Sequence, residues 1–600
     1  MTSRTGGVIA AAARSTSRTN VRKRSNSHVE DVGVRRSSPP TVVAAVAASA
    51  AARDVVGTSG RDRCVCSSIS SSSSSSSSGN VLLATPAAEP ADGIVSFLRG
   101  QCILITGATG FLAKLLVEKV LYEQPDVGHL YLLIQPRGEQ SAQQRLDALL
   151  ESPVFDRLRA RYADAEGGFA LLAASKITAV PGNVAEEGLG LSPDDAHMLN
   201  THVTVLINSA ATTTFDEQFD VALRVNTLGA AHCIRFAKAC PNVTQMVQVS
   251  TAFVNGTRRG YTPEKPFFPG DSIAKEMKGY DAPRLDMDAE IRSGLDSVHV
   301  AEADARDRGI TAEADVKNAV KNSLREIGLD KARTHGWQDT YVFTKAMGEM
   351  LVSREHGELP VAIVRPSIVE SAWREPVRGW IEGIRMCDPI IIAYGKGQID
   401  GFCGDPEGCL DIVPADMVVN AILAAMPQLE RRGGLDVYHV ATSTANPLSN
   451  RAFVDAVTSH FRNSPMKDRR GEDIHVQDME IFSSVQSYSA ALFLRYQAPI
   501  YLKRLREKVM PWTAETGAKK RKDVIIQKTY EQLAYLADIY RPYTFYECRF
   551  GAENTERLFA EMHPDEKDKF NFDLKTIDWL EYLSGVHVSG IRSFVLKGRA

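Results

Sequence analysis

"QCILITGATGFLAKLLVEKVL", residues 101–121, opens with an apolar run, Cys102 to Ile105, long enough for a buried parallel strand. Gly107, Gly110 and Ala113 follow at G-x-x-G-x-x-A spacing, and Leu112, Leu115, Leu116, Lys119 and Val120 then recur at helical intervals. Strand, glycine turn and helix in that order are the context a dinucleotide site requires. The glycines let the main chain approach a pyrophosphate, and the helix N-terminus offers free N–H groups and the favourable end of its dipole. A bare glycine pattern without those flanks marks any tight turn.

The next strand reads "HLYLLIQPRGE" (129–139). A site for NAD wants an acid at this tip, to bind the ribose 2′-hydroxyl. Gln135 and Arg137 stand there instead, with Glu139 only further along. Arg137 can pair with a 2′-phosphate, so NADPH is the expected cofactor; a solvated loop arginine is the plain alternative. Further apolar runs, "KITAVPGN" (176–183), "VTVLINSA" (203–210), "QMVQVSTAF" (245–253) and "VAIVRPSIV" (361–369), are separated by helical-period segments such as "VALRVNTLGAAHCIRFAKAC" (221–240). That alternation predicts an α/β protein with a doubly wound parallel sheet and ligands at the C-terminal ends of its strands.

Six hundred residues suggest three or four units of structure. With 44% hydrophobic and 24% charged residues and a net charge of -3, the chain can bury a core and shows no charge excess for nucleic acid. Its nine cysteines are scattered without the rhythm of a zinc site, so free thiols and no metal are expected. No run of 18 apolar residues occurs, and "PIIIAY" (389–394) is too short to span a membrane. From residue 1 to about 80 the chain is rich in Ser and Arg, poor in acids, and contains "SSISSSSSSSSS" (67–78). Such a stretch cannot offset its chain entropy by burial, and it reads as a disordered organelle transit peptide, plastid ahead of mitochondrion. Cys64 and Cys66 fall within it. A plain disordered tail is one alternative. A secretory core in "TVVAAVAASAAA" (41–52) is a weaker one, because that run is mostly alanine and starts forty residues in.

"DTYVFTKAMGE" (339–349) places Tyr341 and Lys345 four apart, on one helix face. With 17 Tyr and roughly two dozen Lys, chance supplies about one such spacing, so context must decide. "VSTAFVNG" (249–256) ends a sheet strand with Ser250 and Thr251, where ligand chemistry is expected. A phenol titrates near 10, and a nearby ammonium and an oxidised nicotinamide would lower that value. Tyr341 is therefore the candidate general acid, Lys345 tunes it and holds the cofactor ribose, and Thr251 orients a substrate carbonyl.

"TGATGFLAK", "VSTAFVNG", "DTYVFTKAMGE" and "DIVPADMVVNA" together resemble the extended short-chain dehydrogenase/reductase superfamily with its Rossmann sheet, and more narrowly the fatty acyl reductases that form primary fatty alcohols. The resemblance runs from about Gly93 to Ala600, and takes in "LADIYRPYTFYECRF" (536–550) and "GVHVSGIRSFVLKGR" (585–599). The leader resembles that of the plant plastid branch, the male-sterility type linked to pollen-wall lipid.

The resemblance implies that Thr106, Gly107, Thr109, Gly110, Phe111, Leu112 and Ala113 border NADPH, with Arg137, Asn183, Asn208 and Ala210. It places Pro366 and Ser367 near the nicotinamide, and makes Thr251, Tyr341 and Lys345 the catalytic group, with Ser250 as a stand-in for Thr251. Many relatives carry Gly-Asp where this chain has Gly182-Asn183, so weaker adenine anchoring through the Asn183 amide oxygen is expected. The implied reaction is hydride attack on an acyl thioester, collapse to an aldehyde and a second reduction to the alcohol. It needs no enzyme thioester, and Cys233 and Cys240 read as packing residues of a helix.

The expected organisation is a leader (1–80), a reductase domain (85–460) with a charged insertion (257–339), a linker (461–490) and a mainly helical C-terminal domain (491–600). "AEADARDRGITAEADVKNAVKNSLREIG" (301–328) reads as exposed helix, either lid or bland insertion. Lys503, Arg504, Arg506, Lys508, Lys519, Lys520, Arg521 and Lys522 form a basic cluster. It suits an acidic acyl carrier protein, a membrane surface under "YLKRLREKVMPW", or simply solvent. An epimerase or dehydratase of nucleotide sugars and a non-catalytic dinucleotide sensor remain as rival functions.

Overall fold

The computed structural model describes residues 93–276, 283–510 and 518–597, without the side chains of 518–522. The expected leader lies outside the described residues, as do the side chains of Lys519, Lys520, Arg521 and Lys522.

Seven strands make one all-parallel sheet: β1 (Cys102–Thr106), β2 (His129–Ile134), β3 (Ile177–Pro181), β4 (Val205–Asn208), β5 (Gln245–Val249), β6 (Val361–Pro366) and β7 (Leu435–Val440). Their order is β3-β2-β1-β4-β5-β6-β7, so the direction of winding reverses between β1 and β4. Six of these were expected; β7, "LDVYHV", was not among them.

Because strand side chains alternate, each strand feeds two layers. Ile103, Ile105, Val205, Ile207 and Val364 pack on one face with Leu116 and Val120 of helix α1 (Phe111–Glu123). Leu104, Leu206, Met246 and Ile363 pack on the other with Ala230, Cys233 and Ile234 of α2 (Gly229–Ala239). Cys233 and Cys240 are free thiols in that second layer, as the packing reading expects. Burying each large aliphatic side chain contributes about 1.5–3 kcal/mol, which is why near-continuous apolar runs specify a sheet covered on both sides.

The stretch 301–328, expected as one exposed helix, is shared between two, α3 (Met287–Asp307) and α4 (Glu313–Thr334), which meet through Ala301, Ala305, Val316, Val320 and Leu324. The later chain is woven into the same compact unit, Pro86–Ala600. Cys548–Phe550 pairs with Gly260–Thr262, and Glu480–Phe482, inside the expected linker, pairs with Gly401–Cys403. Among the described residues no helix is long and apolar enough to cross a membrane.

Candidate active site

The glycine turn after β1 is built as its sequence requires. Gly107 has φ +65, and a Cβ there would sit 2.7 Å from the Ala210 main chain. Gly110 caps α1, with its N–H on the Gly107 carbonyl at 2.8 Å. Ala113 and Phe111 are buried, whereas Leu112 is partly exposed. At the strand tips Thr106, Asn208 and Gln248 lie side by side in register. The Thr106 hydroxyl donates to Asn208 Oδ1 at 2.5 Å and accepts the Ala210 N–H at 3.2 Å; Asn208 Nδ2 donates to Gln248 Oε1 at 2.9 Å. Gln248 Nε2 reaches the Val249 carbonyl at 3.2 Å, and Lys345 Nζ donates to that same oxygen at 2.7 Å. One buried polar chain thus joins the glycine turn to the candidate catalytic lysine. Gln248, a link in it, was not singled out from the sequence.

Tyr341 and Lys345 stand in the first turns of α5 (Thr340–Glu355), capped by Asp339, whose Oδ1 accepts the Val342 N–H at 2.9 Å. Two contacts fix this helix. Gly348 lies against the Asn226 carbonyl, where a Cβ would overlap it. Glu349, one turn beyond Lys345, is paired with Arg365 of β6, both fully buried, with Nε to Oε1 at 3.0 Å. Such a pair costs desolvation to form, and losing one partner would strand a charge. Asn226 also holds the loop after β4, accepting the Thr212 N–H at 3.0 Å and donating to Thr344 Oγ1 at 3.1 Å.

The Thr251 hydroxyl accepts the Phe253 N–H at 3.3 Å and borders the same cleft as the Tyr341 phenol. Burial pushes the Tyr341 pKa up, and the Asp339 charge adds to that, while Thr251 acts the other way. Burial brings Lys345 down to about 8, opposed by Glu349. The lysine ammonium is held by the main chain of β5, and the hydroxyl beside the phenol is that of Thr251, as the sequence pattern expects.

Thr251 and Tyr341 face a cleft of about 500 Å³ that also includes Ser250, Pro366, Ser367, Phe215, Met386, Tyr540 and Tyr543. The Ser250 and Ser367 hydroxyls are buried without a partner, and they, with the glycine cradle at Gly107, fit a bound dinucleotide. Arg137 is exposed, its main chain paired with Gln140. A second cation, Arg145, not foreseen from the sequence, donates to the Gln135 carbonyl and, at 3.2 Å, to Thr109 Oγ1. Asn183 is folded into its own turn: its amide oxygen accepts the Ala185 N–H at 3.1 Å and its Nδ2 donates to Glu186 at 2.9 Å.

Comparison with known proteins agrees with this architecture. Residues 105–422 match the NAD-binding model described as male sterility protein, and residues 516–598 match a second model of the same description. The chain is 42% identical over 518 residues to "Fatty acyl-CoA reductase 2, chloroplastic" of Arabidopsis thaliana, covering 85% of this chain and 80% of that protein. It is 33% identical to "Alcohol-forming fatty acyl-CoA reductase" of Simmondsia chinensis, covering 85% and 100%. Among solved structures, the terminal R domain of the myxalamid PKS-NRPS pathway superposes with a TM-score of 0.50 at 16% identity, covering 84% of this chain and 92% of that one, a likeness of fold alone. The chain therefore belongs to the fatty acyl-CoA reductase family, enzymes of the extended short-chain dehydrogenase/reductase fold that use a nicotinamide cofactor.

Proposed function

We propose that the protein reduces a long-chain fatty acyl thioester to the primary alcohol, by way of the aldehyde, with NADPH. The observation that carries this reading is the continuity between a polar catalytic end and an apolar recess. Ile368, Met386, Tyr540 and Tyr543 border both the cleft and the recess behind it, whose further walls include Phe402, Leu410, Phe453 and Val454. The recess is about 70 Å³ as it stands, so a sixteen-carbon chain would fill the cleft as well, with the pliable Met386 side chain yielding. This apolar lining and the family membership favour the reading over the nucleotide-sugar and sensor alternatives.

Bound along Gly107 to Ala113, the cofactor supplies hydride. Thr251 and Tyr341 hold the acyl oxygen and stabilise its developing negative charge. Loss of the thiolate, which takes up a proton, leaves the aldehyde; in the second round Tyr341 delivers its proton to the alkoxide. Lys345 holds the ribose and supports the phenolate, Asn208 and Ala210 border the cofactor, and Arg137 and Arg145 offer positive charge to a 2′-phosphate. Tyr341→Phe tests this assignment. NADPH binding is expected to survive, while turnover falls by roughly 100-fold or more; unchanged turnover would remove Tyr341 from the chemistry.

Acyl carrier protein is the proposed thiol carrier. Arg504, Arg506 and Lys508 are exposed on α6 (Ala498–Val509), whereas Lys503 is paired with Asp523 at 2.8 Å. The same helix exposes Tyr501, Leu502, Leu505 and Val509, which also suits contact with a lipid surface. The proposed compartment is the plastid and the proposed product a pollen-wall lipid precursor. The Arg- and Ser-rich leader and the chloroplastic relative support the compartment, and the male-sterility description of the family supports the product's use.

A further inference from the structure

Glu370, Asp388 and His587 come from three distant stretches and converge in the interior, each 0% exposed. His587 Nε2 lies 3.3 Å from Asp388 Oδ1 and 3.8 Å from Glu370 Oε2. All three of these atoms lack a hydrogen-bond partner. Three buried, unpartnered polar atoms within 4.8 Å of one another leave a place for a bound group between them.

The outward sides of the same groups are occupied. His587 Nδ1 meets Ser371 Oγ at 3.1 Å, and its ring stacks on Tyr582 at 6.0 Å. Asp388 Oδ2 accepts the Arg385 N–H at 2.6 Å, and Glu370 Oε1 faces the Cys387 N–H at 3.5 Å. Each residue is thus oriented from behind while one atom points inward, which is how metal ligands are held by their surroundings. Tetrahedral bonds of about 2.0–2.1 Å put neighbouring ligand atoms roughly 3.3–3.5 Å apart; the His587–Asp388 spacing falls in that range, and Glu370, at 3.8 Å within a group spanning less than 4.8 Å, has to move inward by a few tenths of an ångström to join it.

We propose that Glu370, Asp388 and His587 bind one divalent first-row ion, zinc by the donor set, with water in the fourth position. Two carboxylates, a neutral imidazole and a dication sum to zero charge, which removes the cost of two buried anions. The ion clamps His587, near the end of the chain, to the strand Ile368–Glu370 and to the Arg385–Asp388 turn. Ile368 and Met386 of those two elements line the cleft. The clamp therefore sets the floor of the acyl-binding region from behind and takes no part in hydride transfer. Among the described residues no cysteine belongs to this group of three, which is why cysteine spacing gives no hint of it.

The test is metal content by mass spectrometry on the full chain, purified without a histidine tag, together with Tm after chelation and after zinc is restored. The expected results are about one zinc per chain, a Tm that drops on chelation, and recovery with zinc. Glu370→Gln and His587→Gln should each lower zinc affinity by about 10-fold or more. The wild-type Tm response keeps the proposal testable if either variant fails to fold. Protein that carries no ion and whose Tm ignores added zinc overturns the proposal, leaving a proton shared among the three groups. Zinc affinity unchanged from wild type in folded His587→Gln overturns it as well. Neither readout depends on catalytic turnover, so failure of the reductase reading would show separately.

Discussion

The Tyr543 hydroxyl donates to Asp339 Oδ2 at 2.5 Å, while Oδ1 of the same carboxylate caps the helix that carries Tyr341 and Lys345. A residue of the C-terminal part of the chain thereby holds the first turn of the catalytic helix. Burial raises the Asp339 pKa to about 6, against the pull of this hydrogen bond. Tyr543→Phe should cost about 1–3 kcal/mol of stability, because it leaves a buried carboxylate with one partner fewer. Turnover should fall with it, since Tyr543 also borders the cleft. Urea denaturation and steady-state kinetics check both, and unchanged values for each would show that the contact positions nothing.

Lys345 makes a prediction about pH with two opposite signs. Its folded pKa is lowered to about 8, so activity that needs the ammonium should decline as pH rises through that value. In the unfolded chain the same lysine titrates near 10.4. Between about 8 and about 10.4 the unfolded state therefore binds the extra proton, and this group's contribution to stability rises with pH across that window. Lys345→Met should lower turnover by roughly 100-fold and abolish that alkaline gain in Tm. Profiles of kcat/KM and Tm against pH, taken on both proteins, provide the check.

Arg145 should matter for the choice of cofactor. Its guanidinium rests on the tip of β2 and on Thr109 of the glycine turn, whereas Arg137 is exposed. If the pair receives a 2′-phosphate, Arg145→Ala and Arg137→Ala should each raise KM for NADPH by about 10-fold, and leave NADH nearly untouched. Equal losses with both cofactors would assign these arginines to structure alone.

The strand, turn and helix around Gly107 were legible because their signals are local: an apolar run, glycine spacing and a helical period within 21 residues of the quoted stretch. Thr251, Tyr341 and Lys345 were legible as types, and the structure brings Thr251 against Tyr341. The partners of these residues were not legible. Tyr543 is 204 positions from Asp339, and only the fold brings them together. Gln248 reads as one more strand residue until its register beside Asn208 is known. Strand β7 escaped because Asp436 and His439 interrupt the apolar residues of "LDVYHV" at the sheet edge. Asn183 was expected to offer its amide oxygen to adenine, yet a local turn already uses that oxygen, a competition that short polar side chains commonly enter.

The most direct test of the central claim is the stoichiometry of thioester reduction. Protein from about Thr85 onward would be given NADPH and a hexadecanoyl thioester, on acyl carrier protein and on coenzyme A in parallel, with aldehyde and alcohol quantified. The account predicts one alcohol for every two NADPH oxidised, faster from the carrier protein. Folded protein that oxidises no NADPH with either thioester would contradict it.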